Sequence, residues 1–293
     1  MPEDIRIISV DWNDMPEQIL IKKYSGVLVP FDAEKIKNTC RRAGASEELA
    51  EKVAKMVESK VYRGMTTREI MKLTLKILDK EKPAVAARYT LRDAIFKLGP
   101  AGFHFEKYVA ALLKAYGYKT KLPPILQGAC VEHEIDVAAE KDNRAAIIEC
   151  KLRQSVRIFI SIKDVMSTWA RFLDLVDGAA IGKCPHYDEI WIVTNARISG
   201  QGTRYGHCKN MVLLSWDHPR DRPLPAWIDD KTLYPITVLR KLDKASLDSF
   251  AKAGVLLVRD LTRRDTKKLQ EKIKIPKNKL EKFIKEAKEI CAL

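Results

Sequence analysis

Apolar residues recur along this chain with two different periods, and the changes of period divide it. From Gln18 two short apolar runs, Ile19-Leu20-Ile21 and Val27-Leu28-Val29, flank a polar stretch containing Ser25-Gly26, which predicts a β-hairpin. Asp32 then stands where an N-cap belongs, ahead of a helix carrying Ile36. Three helical patterns follow. Leu49, Val53, Met56 and Val57 share one face, Ile70, Leu73, Ile77 and Leu78 a second, and Leu91, Ile95 and Leu98 a third that Gly99-Pro100 ends. Thr66-Thr67-Arg68-Glu69 has capping-box spacing at the start of the second.

Beyond residue 102 the pattern is mixed. Phe105, Val109, Leu112 and Leu113 mark a helix over 103–115, with Glu106 at the edge of its apolar stripe. Ile135-Asp136-Val137 and Ile147-Ile148-Glu149-Cys150-Lys151 read as neighbouring strands joined by the polar segment 140–144. A helix over 162–175 follows, then a β-branched strand over 189–194, a Gly-rich turn around Gly200-Gln201-Gly202, and a closing strand over 211–216. From Val238 the period is helical again. Leu239, Leu242, Leu247 and Phe250 lead to Ala253-Gly254-Val255, and Pro276 opens a last helix with Leu280, Phe283, Ile284, Ala287 and Ile290. The domains expected are an arm over 1–18, a hairpin-and-helix module over 19–98, an α/β core over 99–220, and a linker with an all-α module over 221–293.

Composition adds a partner class to this outline. The 293 residues carry a net charge of +14, with 46% hydrophobic residues, which suits a soluble globular chain with a polyanionic partner. Lys and Arg exceed Asp and Glu by 18 to 10 over 19–98 and by 16 to 8 over 238–293, but only by 18 to 16 between. The excess sits at both ends. No secretion signal and no 18-residue apolar run is present, so a cytoplasmic protein without a membrane span is expected. The six cysteines have no CxxC spacing and read as reduced thiols; Cys184, His186, His207 and Cys208 fit no familiar zinc pattern.

The candidate chemistry lies in the middle part. Side chains alternate along a strand, so Glu149 and Lys151 share one face while Ile148 and Cys150 take the other. A carboxylate and an ammonium leaving an apolar strand together cost desolvation, which a divalent cation and a phosphate nearby would offset. A surface salt bridge is the plain alternative for a lone E-x-K. Here an aspartate stands upstream at hairpin distance, and a helix acid precedes both. The order Glu106, Asp136, Glu149-x-Lys151 resembles the PD-(D/E)xK nuclease superfamily, in particular its Mrr-like restriction-endonuclease and archaeal Holliday-junction-resolvase branches. That resemblance implies a restriction-endonuclease-like mixed sheet flanked by helices. It implies Mg²⁺ (or Mn²⁺) on Asp136, Glu149 and the Cys150 carbonyl, with Lys151 beside the attacked phosphate and Glu106 completing the shell. Glu132 and Glu134 are rival ligands beside Asp136, and His133 reads as structural.

Two more resemblances follow from the ends of the chain. Ile21-Lys22-Lys23-Tyr24-Ser25-Gly26, Phe31-Asp32, Lys35-Ile36 and Ala86-Ala87-Arg88-Tyr89 together resemble the ATP-cone, a nucleotide-sensing module, over 19–98. By that likeness ATP or dATP is the effector, with Lys23, Lys35, Thr67 and Arg88 at the nucleotide. Ala251-Lys252-Ala253-Gly254-Val255, ahead of Val258-Arg259-Asp260-Leu261, resembles a helix-hairpin-helix domain, which grips DNA through backbone amides. The second hairpin, Ile273-Lys274-Ile275-Pro276, lacks glycine, leaving Lys/Arg contacts or packing as the alternative role. The whole chain is therefore expected to be a multi-domain α/β protein and a Mg²⁺-dependent deoxyribonuclease. Its expected partners are DNA, a nucleotide effector and a second copy of itself as a homodimer. A nucleotide-sensing regulator with a non-cleaving core, and a binder of RNA or repair intermediates, are the alternatives.

Overall fold

The structure, a computed structural model, describes residues 18–99, 105–122, 124–155 and 158–292, with the side chains of Thr266 and Lys267 excluded. The arm expected over 1–18 lies outside these apart from Gln18, as does the expected helix start at Phe103. The chain forms two compact units, which meet in sequence between Tyr89 and Thr90.

In the first unit β1 (Leu20–Lys22) pairs antiparallel with β2 (Leu28–Pro30). Gly26 takes a φ of +86° in the turn between them, a conformation that costs glycine least. Asp32 caps α1 (Ala33–Arg42) by accepting the Glu34 N–H, and Ser46 caps α2 (Glu47–Glu58). Thr66 and Glu69 form the expected capping box at α3 (Thr67–Glu81), and α4 (Pro83–Tyr89) follows. The backbone of Lys22 donates to Met65 O at 2.9 Å, so the hairpin is laced to the loop that enters α3. Ile21, Ile36, Val53, Val57, Ile70 and Leu78 meet in one buried core. Each helix contributes the apolar face that its period announced.

The third helical pattern forms a helix that ends at Phe96, short of Leu98 and Gly99. Thr90 separates α4 from α5 (Leu91–Phe96), and α5 belongs to the second unit. There the Ala94 carbonyl accepts from the Thr237 hydroxyl at 2.6 Å in a buried contact. The helix thus meets a tertiary neighbour from the far end of the chain, which no local periodicity encodes.

The second unit is built on a five-stranded mixed sheet in the order β3-β6-β7-β8-β9. After α6 (Phe105–Ala115) come β3 (Lys119–Lys121) and a small separate ribbon of β4 (Ile125–Gln127) with β5 (Glu132–Glu134). The antiparallel hairpin expected at the centre is present as β6 (Val137–Lys141) and β7 (Arg144–Lys151). Asp142 and Asn143 make its two-residue turn with φ of 51° and 58°, as the right-handed twist of the strands prefers. A crossover through α7 (Ile162–Ala180) leads to β8 (Glu189–Thr194), parallel to β7, and α8 (Gly200–Cys208) leads to β9 (Val212–Leu214).

Glycines 200 and 202 were expected in a loop but lie in the first turn of α8, where Ser199 accepts the Gly202 N–H. A β-carbon on Gly202 would stand 3.2 Å from Val165 Cγ2, so the missing side chain permits close packing of α8 on α7. Ile147, Ile190, Ile192, Val165, Phe172 and Leu213 form the core on that face of the sheet. Alternation sends Ile148 and Cys150 to the opposite face, the one α6 covers.

The C-terminal part is helical as expected. It runs through α9 (Leu224–Asp230), a 3₁₀ turn at Ile236–Val238, α10 (Lys244–Lys252), α11 (Val258–Arg263), α12 (Thr266–Lys272) and α13 (Lys277–Cys291). Phe250 and Phe283 meet edge to face at 5.8 Å in its core. It is joined to the sheet domain as one compact unit. The fully buried Tyr108 of α6 donates its hydroxyl to Leu233 O at 2.9 Å. Removing that hydroxyl strands a buried carbonyl, so Tyr108→Phe should cost about 1–3 kcal/mol. Urea unfolding checks this: the midpoint should fall with the slope unchanged.

Candidate functional site

The sheet site forms where β6 and β7 part. β6 begins at Val137, opposite Ile148; extending that register by one residue puts Asp136 opposite Glu149. Asp136 is not in the ladder. Its Oδ2 accepts the Cys150 N–H at 2.6 Å, replacing the backbone carbonyl that a longer β6 would have offered. The Ile135 N–H has turned away to Pro124 O. A strand residue directs its N–H and C=O to the same side, so the Cys150 carbonyl faces the side on which Asp136 stands. Among the described residues Asp136 Oδ1 accepts no hydrogen bond.

Glu149 is 7% exposed and held by two cations. Lys151 pairs with Oε1 from two residues along the strand, and Arg171 reaches Oε2 from α7. Glu106 sits in the first turn of α6, half-buried, where its charge acts on both Asp136 and Cys150. Burial pushes the Asp136 carboxyl up to about 6, and the negative charges of Glu149 and Glu106 push the same way against the Cys150 amide and Lys151. All four residues singled out from the sequence therefore share one electrostatic neighbourhood.

Among the described residues no three His, Cys, Asp or Glu side chains close on one point as a ready ligand shell. A magnesium ion does not require that, because it takes one or two carboxylates and retains several waters. Asp136 Oδ1, Glu149 and the Cys150 carbonyl are all hard oxygen donors, and the acids outnumber what the local cations neutralise at Asp136. The donor set fits such an ion.

The rival acids lie elsewhere. Glu132 and Glu134 are exposed on β5, while His133 between them pairs with Asp174 at 2.7 Å. Asp174 also accepts the Cys130 N–H at 2.8 Å, so it pins the loop before β5 to α7. The Cys184 thiol donates to Leu175 O, His186 lies beside Asp188, and His207 meets His218. Arg171 is the participant that sequence reasoning missed. It lies on α7 directly before the buried Phe172, and nothing in its local sequence sets it apart from other helix arginines.

In the first unit Lys23, Lys35 and Thr67 line one cavity of about 220 Å³. Ile21, Ile36, Ile70 and Met71 supply apolar wall, and Tyr89, pushed up to about 12 chiefly by burial, is a neutral phenol at its edge. Lys35 pairs with Asp32 at 3.2 Å, and its side chain is 78% exposed, so the ammonium can swing to a ligand. Arg88 does not line this cavity. Its Nη1 lies where a β-carbon on Gly44 would stand, 2.8 Å away, so the guanidinium lies against the turn after α1.

The raised Asp136 carboxyl has a signed consequence for stability. The folded protein holds that proton between the ordinary carboxylate range and about pH 6, so stability from this group is complete below that window and lost as pH rises through it. Asp136→Asn keeps an acceptor for the Cys150 amide and removes the titration. Measured in chelator, the variant should gain on the wild type by on the order of 1–3 kcal/mol between pH 4 and pH 7. Parallel curves across that range would contradict it.

Residues 19–96 match the family model described as the ATP cone domain, and residues 234–291 match the model described as AF1548-like, C-terminal. An uncharacterized protein of Archaeoglobus fulgidus is 36% identical over 182 residues, which make up 62% of this chain and 99% of that protein. The crystal structure of the protein of unknown function AF1548 is similar with a TM-score of 0.55 and 34% identity, covering 68% of this chain and 98% of that one. Among the described residues no helix is long and apolar enough to cross a membrane. With two thirds of its length shared and its C-terminal helices matched to the family's own model, this chain, which also carries an ATP cone, belongs to the AF1548-like family.

Proposed function

We propose that this protein is a Mg²⁺-dependent DNA endonuclease with a restriction-endonuclease-like core, regulated by ATP or dATP at its N-terminal domain. The observation that carries the reading is the meeting of Asp136, Glu149 and Lys151 where β6 ends, beside a Cys150 carbonyl freed from the ladder. Asp136, Glu149 and that carbonyl would hold Mg²⁺ or Mn²⁺, whose contribution is charge neutralisation at the phosphoryl oxygens and acidification of a water. Lys151 is placed to leave Glu149 for a phosphoryl oxygen or the attacking water, stabilising charge as it develops. Arg171 keeps Glu149 oriented from the α7 side while Lys151 moves. Glu106 adds a third acid at the rim, a site for a second water contact or cation.

The nucleotide arm of the reading rests on the ATP cone and on the cavity that gathers Lys23, Lys35 and Thr67. The apolar wall suits a base, and the two ammonium groups suit phosphates. Lys23→Ala should weaken ATP or dATP binding about tenfold or more in calorimetry, in line with loss of a charge-assisted contact. Unchanged affinity would remove Lys23 from the nucleotide site.

One observation favours a second reading. Both oxygens of Glu149 already have a cation, so the core is also compatible with a nucleotide-sensing DNA-binding regulator that does not cut. Supercoiled plasmid with Mg²⁺ separates the two. Nicking or linearisation should fall by roughly two or more orders of magnitude in Glu149→Ala/Lys151→Ala. Equal activity in wild type and variant identifies a contaminant, and no cutting by either, with DNA still bound, favours the regulator.

A further inference from the structure

Four cations of the second unit surround one open basin of about 530 Å³: Lys114 at the end of α6, Lys231 just after α9, and Arg259 and Arg263 on α11. Three other cations of this unit are matched by acids: Arg222 pairs with Asp230, Lys279 with Asp243, and Arg240 with Glu286. Among the described residues none of the four basin cations forms an ion pair with a carboxylate. Two are fastened by backbone carbonyls instead. Lys231 donates to Ala115 O at 3.0 Å, and Arg259 donates to Lys231 O at 3.2 Å. Lys231 and Arg259 are therefore held in place by groups that leave their charge without an ion pair.

That arrangement costs free energy. Burial disfavours the charge on Arg259 and the like charge of Arg263 beside it disfavours it further, with Asp260 offsetting part of this. An oxyanion in the basin would relieve both. Lys231 also lies over the ring of Tyr116 at 4.7 Å, and Tyr116 packs on Trp227 at 4.4 Å with Arg222 over both rings. Tyr116 thus backs Lys231 from behind the basin, and the four cations suit the phosphates of a polyanion. Lys114 and Glu106 are eight residues apart on α6, about 12 Å along the axis, which equals the rise of three to four base pairs.

We propose that the basin formed by Lys114, Lys231, Arg259 and Arg263 is a docking site for the phosphodiester backbone of DNA. It deepens the reading of this chain as a DNA-acting protein, and names residues outside both the sheet site and the hairpins of the helical module. Among the described residues the side chains of Lys114 and Arg263 make no hydrogen bond, so Lys114→Ala/Arg263→Ala removes charge without breaking one.

The test is anisotropy of a labelled DNA duplex with the full-length protein in EDTA, over a series of salt concentrations. Lys55→Ala/Lys60→Ala in the first unit is the control of equal charge change. The basin variant should bind about tenfold or more weakly near 0.1 M salt, with the slope of log K against log salt reduced by about two, and the control should not. Equal loss in both variants, or none in the basin variant, overturns the proposal. So does duplex binding that the basin variant retains while inorganic phosphate or ATP binding is lost, which would make this a small-anion pocket. Because no divalent ion is present, the result is independent of cutting. Basin-dependent binding without plasmid cleavage sinks the nuclease reading alone, and cleavage that survives in the basin variant with unchanged binding sinks the docking site alone.

Discussion

The hydrogen bond from the Cys150 amide to the Asp136 carboxylate organises the middle of this protein. It lets β6 end while β7 continues, because the donor that loses its ladder partner receives a side-chain acceptor in its place. The freed length of β7 carries Glu149, Cys150 and Lys151 beyond the hairpin while β8 still supports them in parallel from the other side. Thr194 completes the support by donating its hydroxyl to Lys151 O at 2.6 Å. Were Asp136 apolar, a nearly buried amide would lose its partner at the point where the site needs rigidity.

Charge is distributed unevenly around that bond. Glu149 is compensated twice, by Lys151 and Arg171, whereas Asp136 faces two other acids and one cation, and its carboxyl is raised by burial first and by those acids second. The basin at the far end of α6 has the opposite imbalance, with four cations and, among the described residues, no ion pair to a carboxylate. Paired charges such as Arg222 and Asp230 contribute to the surface without asking for a ligand. Sites with an unpaired excess of either sign are where a ligand gains most, and α6 contributes one residue to each, Glu106 and Lys114.

The first unit reaches a comparable end by local means. Its hairpin, capped helices and the lacing of Lys22 to Met65 bring residues from three separate segments around one cavity. Asp32 has two tasks there, capping α1 and holding Lys35, so the residue that starts the helix also restrains a cation at the cavity mouth. Gly44 accounts for the different place of Arg88. With no side chain at that turn, the guanidinium packs under it.

How much of this was legible in the chain follows from the range of each interaction. Caps at Asp32 and Thr66, the Asp142-Asn143 turn, the alternation that pairs Glu149 with Lys151, and the amphipathic faces of α1–α3, α6, α7 and α13 are set within a few residues, so the sequence alone determined them. The order Glu106, Asp136, Glu149, Lys151 was likewise legible, because strand register follows from the hairpin. Tertiary structure alone decided the rest. The membership of α5 in the second unit, the helical fate of Gly200 and Gly202, the reach of Arg171 to Glu149, and the gathering of Lys114, Lys231, Arg259 and Arg263 all depend on contacts between segments far apart in the chain. Such contacts are selected by packing and by the charge of neighbours that only folding supplies, and no periodicity within one segment can carry them.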